Sequence, residues 1–202
     1  MRALIMAGGE GSRLNLGEKP LIPVNGQPMI AYVVEAFRSA GCEPVVAISP
    51  RTPMTLNWCR ALGVAFCKSE GHGYIDDMID AVEELDEQES LFICVSDIPG
   101  ITSDNIRYIW DTYASVGNDA LSVWVPANLV KSCRGGMPYR EHIHGIEACP
   151  AGVNILRADQ ITEVQSEFAL LLDDPGLALN VNTRADLAAA ELFLQERAAL
   201  NS

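Results

Sequence analysis

Apolar positions along this chain alternate between two rhythms. Short apolar runs at Arg2 to Ala7, Pro44 to Ser49, Val64 to Cys67, Leu91 to Val95, Ala120 to Val125 and Gly152 to Leu156 predict strands. Leu91 to Val95 is almost wholly apolar, as a strand covered on both faces should be. Between the runs the spacing changes to three and four residues. Ile30, Val33, Val34 and Phe37 predict a helix over Pro28 to Ala40, and Ile75, Met78, Ile79, Val82 and Leu85 predict another. Further helices are expected over Thr55 to Leu62 and about Ser103 to Val116. The acidic run Glu83 to Glu89 reads as a solvated helix face. Pro126 to Pro150 reads as irregular. Beyond Leu156 come a short helical region, a turn at Asp174, Pro175 and Gly176, a last strand-like run from Leu179 to Val181, and a helix from Arg184 to Ala199.

Strands alternating with helices predict an α/β, Rossmann-like fold: a mostly parallel central sheet with helices on both faces and ligands at the carboxyl ends of the strands. The 202 residues suit one domain spanning 1–202. Charge then removes whole classes of function. Fourteen basic against 27 acidic residues give a net charge of −13, which repels nucleic acid and anionic lipid. No stretch is long enough to span a membrane, and Met1 to Ala7 is too short for the apolar part of a signal peptide. A cytoplasmic protein is expected. The six cysteines form no C-x-x-C pair and mostly fall within apolar runs, so they read as reduced, buried thiols.

The sharpest chemical signal is A-G-G-E-G-S-R, residues 7 to 13, directly after the first strand, with Lys19 and Pro20 closing the same loop. Gly8, Gly9 and Gly11 let backbone N–H groups approach phosphate oxygens, and Arg13 and Lys19 supply positive charge to a polyanion. Spacing excludes two commoner phosphate loops. A dinucleotide fingerprint started at Gly9 would need glycine where Leu14 stands, and a Walker A loop would need G-K-[ST] where Gly17, Glu18, Lys19 and Pro20 stand. Asp97 follows a buried strand, where a carboxylate can hold Mg²⁺ against triphosphate oxygens; alternatively it opens a turn before Pro99 and Gly100.

The glycine loop resembles that of the nucleotidyltransferase superfamily, which reads G-G-x-G-[ST]-R and ends in a lysine. Together with K-P-L-I-P-V-N-G (19 to 26), G-H-G-Y-I-D-D (71 to 77), V-S-D-I (95 to 98), C-P-A-G-V-N-I (149 to 155) and N-V-N-T-R-A-D-L (180 to 187), the chain resembles archaeal-type GTP:adenosylcobinamide-phosphate guanylyltransferases. That resemblance implies a nucleotide-diphospho-sugar transferase-like fold, GTP and a corrinoid phosphate acceptor as substrates, and Mg²⁺ as cofactor. It also implies nucleotide contacts at Gly8, Gly9, Gly11, Ser12, Arg13, Lys19, Gly71, Gly73, Gly152, Asn154, Asn180 and Asn182, metal binding at Asp97, and catalytic roles for Arg13, Lys19 and Asp97. A homo-oligomer is compatible with it.

Several of these residues have plainer roles available. Gly71, Gly73 and Gly152 could serve only as turns or bends, and Asn182 could simply close the turn before the last helix. Asp186 is read as structural, because Thr183 to Asp186 is T-x-x-D, a capping box. His142 and His144 would share a side on an extended chain, but two ligands without a third make a surface loop the better reading. Lys131, Arg134 and Arg140 are candidate partners for an acceptor phosphate. Two alternative functions stay open: a molybdopterin guanylyl or cytidylyl transferase, and a non-catalytic nucleotide-binding regulatory domain.

Overall fold

The computed structural model describes residues 1–9, 11, 14–130 and 139–200. The first strand, β1 (Arg2–Met6), is followed by a loop, a 3-10 turn over Lys19–Leu21 and a small hairpin of β2 (Pro23–Val24) and β3 (Gln27–Pro28). Asn25 and Gly26 turn that hairpin with positive φ at both residues, 49° and 82°, the demand an Asn-Gly pair meets most easily. The chain continues through α1 (Met29–Ser39), β4 (Glu43–Ile48), α2 (Pro53–Leu62), β5 (Ala65–Lys68), α3 (Tyr74–Glu84), β6 (Ser90–Val95), α4 (Ser103–Val116) and β7 (Ala120–Pro126). It ends with β8 (Glu141–Ile143), β9 (Ile146–Arg157), β10 (Glu167–Leu171) and α5 (Arg184–Leu200).

The main sheet has the order β10-β7-β9-β6-β1-β4-β5, with β8 paired to β9. β1 runs parallel to β4 and β6, β4 to β5, and β10 to β7; β9 alone lies antiparallel to both of its long neighbours, β6 and β7. Alternation along the strands divides the core into two layers. Ala3, Ile5, Val46, Phe92 and Cys94 face α1 and α4 through Ile30, Val33, Phe37, Ile106 and Ile109. Leu4, Met6, Val45, Ala47 and Ile93 face α3 through Met78, Ala81 and Val82. Each fully buried aliphatic or aromatic side chain there contributes about 1.5–3 kcal/mol, which fixes the register of the strands whose ends carry the site. A third cluster seats α5 on the small hairpin through Ile22, Val24, Ala190 and Leu194.

Three expectations are corrected. The stretch from Pro126 to Pro150 is not irregular throughout: β8 and the first part of β9 form a hairpin turned by His144 and Gly145, again with positive φ at both residues. After β9 there is only a three-residue 3-10 turn, Ala158–Gln160, and then β10, whose apolar run pairs in parallel with β7. Leu179 to Val181 forms no strand; that segment is held by Val181 donating to the carbonyl of Asp97 at 2.9 Å.

Candidate functional site

β1, β4, β5 and β6 all end on one edge of the sheet, and the segments that follow them enclose a cavity of about 280 Å³. Gly8 and Gly9 follow β1, Ser49 and Arg51 follow β4, Gly71 and Gly73 follow β5, and Ser96 and Asp97 follow β6; all line the cavity together with Lys19. The β1 loop is anchored at both ends. Ala7 donates to Ala47 and Ser49 Oγ to the Gly8 carbonyl, at 2.9 and 3.0 Å, while Lys19 donates its amide to Gly9 at 3.2 Å. Gly11 has φ +66°, and a Cβ there would meet the Gly17 carbonyl at 2.9 Å and Lys19 Cα at 3.1 Å. The loop therefore folds back on itself only because residue 11 is glycine.

Lys19 and Asp97 meet at one end of this cavity. Lys19 Nζ donates to Asp97 Oδ2 and, at 2.7 Å, to Asn182 Oδ1; Asn182 in turn donates through Nδ2 to Asn180 Oδ1. Asp97 Oδ1 is buried with no hydrogen-bond partner. A buried carboxylate oxygen left unmatched costs about 1–3 kcal/mol or more, and a hard divalent cation is the partner such an oxygen suits. Asp97 is thus half paired, by an ammonium, and half available. The donor set fits one Mg²⁺ held by a single carboxylate plus substrate oxygens; among the described residues no group of three His, Cys, Asp or Glu side chains could hold a metal by itself.

Asn180 and Asn182 arrive here without a strand to carry them. Gly100 and Gly176 pack backbone to backbone, so close that a Cβ on Gly100 would lie 2.3 Å from the Gly176 carbonyl oxygen. Asn105 donates to Asp174 at 2.7 Å, and the Val181 bond to Asp97 completes the join. Asp186 does cap the last helix: its Oδ2 accepts from the amides of Asn182 and Thr183 at 3.0 and 2.8 Å, and Thr183 Oγ1 accepts from the Asp186 amide at 3.2 Å.

A second cavity, of about 310 Å³, lies on the far side of this cluster. Asn180 and Asn182 form part of its wall, and the rest is chiefly apolar, including Val125, Tyr139, Pro150, Leu179 and Phe193. Because Lys19 lines the first cavity and Asn182 the second, the 2.7 Å bond between them marks the junction of the two.

The other described candidates in these segments fall outside this cluster. Gly152 and Asn154 lie within β9 and line neither cavity. Gly152 has φ +77°, and a Cβ there would stand 2.5 Å from Val95 Cγ2, so packing against a cavity-lining residue accounts for the glycine. His144 sits in the hairpin turn with φ +51°, its Nε2 3.3 Å from the Ala169 carbonyl, so the extended geometry that would align it with His142 is absent. Arg140 pairs with Glu147 at 2.9 Å. Ser12, Arg13, Lys131 and Arg134 lie outside the described residues. The five described cysteines are free and buried; burial pushes the Cys59 thiol up to about 11 and the Cys67 thiol up to about 12, which leaves them unreactive near neutral pH. No described helix is long and apolar enough to cross a membrane.

Sequence patterns overlooked two residues that organise the site. Glu18, next to Lys19, accepts at 2.7 Å from Met54 N, Thr55 N and Thr55 Oγ1, and so caps α2 in place of Thr52, whose side chain makes no capping bond. Asp77, in the first turn of α3, accepts from the amides of Gly71 and His72 at 2.8 and 3.1 Å. Only G-H-G-Y-I-D-D itself hinted at the second, since its carboxylate lies a few residues beyond the Gly71 and His72 amides it holds.

The chain is 29% identical over 202 residues to the adenosylcobinamide-phosphate guanylyltransferase of Methanocaldococcus jannaschii, covering 97% of this chain and 98% of that one. It is also 29% identical to a molybdenum cofactor guanylyltransferase of Yersinia pestis, over 53% of this chain and 54% of that one. Among solved structures, CMP:2-keto-3-deoxy-manno-octonic acid synthetase complexed with CTP superposes with a TM-score of 0.70 at 16% identity, over 97% of this chain and 99% of that one. A putative glucose-1-phosphate thymidylyltransferase from Bacillus anthracis gives 0.70 at 15%, over 96% and 94%. These two establish the fold. Residues 3–158 match the family described as the MobA-like NTP transferase domain. That match covers well over half of the chain, and the chain belongs to the MobA-like NTP transferase domain family as a nucleotidyltransferase.

Proposed function

We propose that the protein transfers GMP from GTP to adenosylcobinamide phosphate, giving adenosylcobinamide-GDP and pyrophosphate in cobalamin biosynthesis. The observation that carries the choice of substrates is the end-to-end match with the Methanocaldococcus jannaschii enzyme, against about half of each chain for the molybdenum cofactor relative. The paired cavities support it as well. GTP occupies the one with the glycine loop, its phosphates toward Lys19, and the phosphate-bearing arm of the acceptor enters from the apolar one.

At the junction an acceptor phosphate oxygen attacks the α-phosphorus of GTP. The new bond joins that oxygen to the α-phosphorus, and the bond to the bridging oxygen of the β-phosphate breaks, releasing pyrophosphate. The acceptor oxygen is already anionic, so the step needs no base and no protein nucleophile. Lys19 exchanges Asp97 for phosphate oxygens as GTP arrives and balances the charge that grows on pyrophosphate. Asn182 holds the lysine ammonium at the junction, and the loop amides orient the triphosphate. Asp97 would hold Mg²⁺ through Oδ1; when bound, the ion neutralises triphosphate charge and fixes its geometry.

Calorimetry with the four ribonucleoside triphosphates tests the nucleotide half of this reading. GTP is expected to bind at least about tenfold, or 1.4 kcal/mol, more tightly than ATP, CTP or UTP. Equal affinities would contradict guanylyl transfer while leaving nucleotidyl transfer intact.

A further inference from the structure

We infer that Asp77 selects the base, accepting hydrogen bonds from the N1–H and 2-amino group of guanine. This rests on the proposed function only in placing a nucleotide in the glycine-loop cavity with its phosphates at Lys19.

Position comes first. Along the sheet edge the strand order is β6-β1-β4-β5, so Asp97 and Lys19 lie at the β6 end of the cavity and Gly71 and Gly73 follow β5, while Asp77, on α3, reaches back toward the β1 loop at Gly8. The two consecutive glycines show the same polarity. A Cβ on Gly9 would touch Lys19 side-chain atoms at 3.8 Å, whereas one on Gly8 would touch Ser49 at 3.2 Å and Asp77 Oδ2 at 3.9 Å. With phosphates at the lysine, the base lies toward Asp77.

Chemistry comes second. Asp77 is 8% exposed although it stands in the first turn of a helix. Its Oδ1 already satisfies the amides of Gly71 and His72, and a neutral amide side chain would hold that loop equally well. No described residue donates a hydrogen bond to its Oδ2, which lies beside Gly8, and Asp77 lines the cavity. The fold therefore uses one oxygen of this carboxylate and leaves the other, with its negative charge, to the ligand. Guanine offers two adjacent donors, N1–H and the 2-amino group. Adenine offers a lone pair at N1 and a C–H at position 2, which that oxygen repels or leaves unmatched.

Asp77→Asn is the direct test, because Oδ1 can still accept from Gly71 and His72 while a donor replaces Oδ2. By calorimetry GTP affinity should fall at least about tenfold, the loss expected for a charge-assisted bond, with ATP affinity unchanged or improved, so that preference for GTP collapses. A parallel loss for both nucleotides, or an unchanged GTP affinity, would overturn the inference and leave Asp77 a loop anchor. The parent protein offers a second test that does not depend on the variant folding. Inosine triphosphate lacks the 2-amino group and should bind several-fold more weakly than GTP; equal binding would also overturn the inference. A parent that fails to prefer GTP over ATP would instead remove the guanylyl reading itself, an outcome distinguishable from either.

Discussion

Asp97→Asn is expected to keep its fold and bind GTP without divalent metal at least as tightly as the parent, yet to lose at least about a hundredfold in turnover. The substitution preserves shape and hydrogen-bonding reach but removes the charge. In the parent the carboxylate engages Lys19 through Oδ2 and leaves Oδ1 buried and unmatched. Removing the charge releases Lys19 toward the triphosphate and takes an anion away from its surroundings, so metal-free binding stays level or improves. The rate falls because a divalent cation loses its protein ligand. Metal-free calorimetry and turnover in saturating Mg²⁺, measured on the same preparation, read the two effects separately. A variant turning over at close to the parent rate would show that the metal is held elsewhere.

Lys19→Ala should behave in the opposite way. GTP affinity should fall at least about tenfold with or without metal, because a direct charge-assisted contact to phosphate is gone, and turnover should fall with it. The variant also leaves Asp97 without the partner at Oδ2, and Asn182 without the donor to its Oδ1. A loss of about 1–3 kcal/mol in stability is expected from that unpaired, largely buried carboxylate. Mg²⁺ should then raise the melting temperature of Lys19→Ala by more than it raises that of the parent, since the ion restores a counter-charge to Asp97. Equal shifts would place Lys19 and the metal on separate carboxylates.

What could be read from the sequence was whatever depends on local pattern. Apolar spacing located α1, α3 and α4 and the strands β1, β4, β6 and β7, because each buries one stripe or both faces of a contiguous segment. The glycine loop and Asp97 stood out because they directly follow such strands. β10 and the β8–β9 hairpin were less visible: Glu167–Leu171 is an edge strand whose partner, β7, is more than forty residues distant, and His144–Gly145 turns a hairpin without an asparagine or aspartate to announce it. Asn180 and Asn182 reach Lys19 through the contact of Gly100 with Gly176, not through a strand. Glu18 was overlooked for a related reason. Its three bonds run to Met54 and Thr55, 36 and 37 residues farther along the chain, and α2 has its own Thr52 where a local cap belongs. Asp77 was read only as part of a motif because its meaning depends on which strand ends lie beside it.

In the proposed reaction one junction, built from Lys19, Asp97 and Asn182, joins the GTP cavity to the acceptor cavity. Its most direct test is pyrophosphate release by the purified protein with GTP and Mg²⁺, with each acceptor supplied in turn. Release with adenosylcobinamide phosphate, matched by an equal amount of adenosylcobinamide-GDP and absent when ATP replaces GTP, is the predicted result. No release with that acceptor, or release only with molybdopterin, would contradict it.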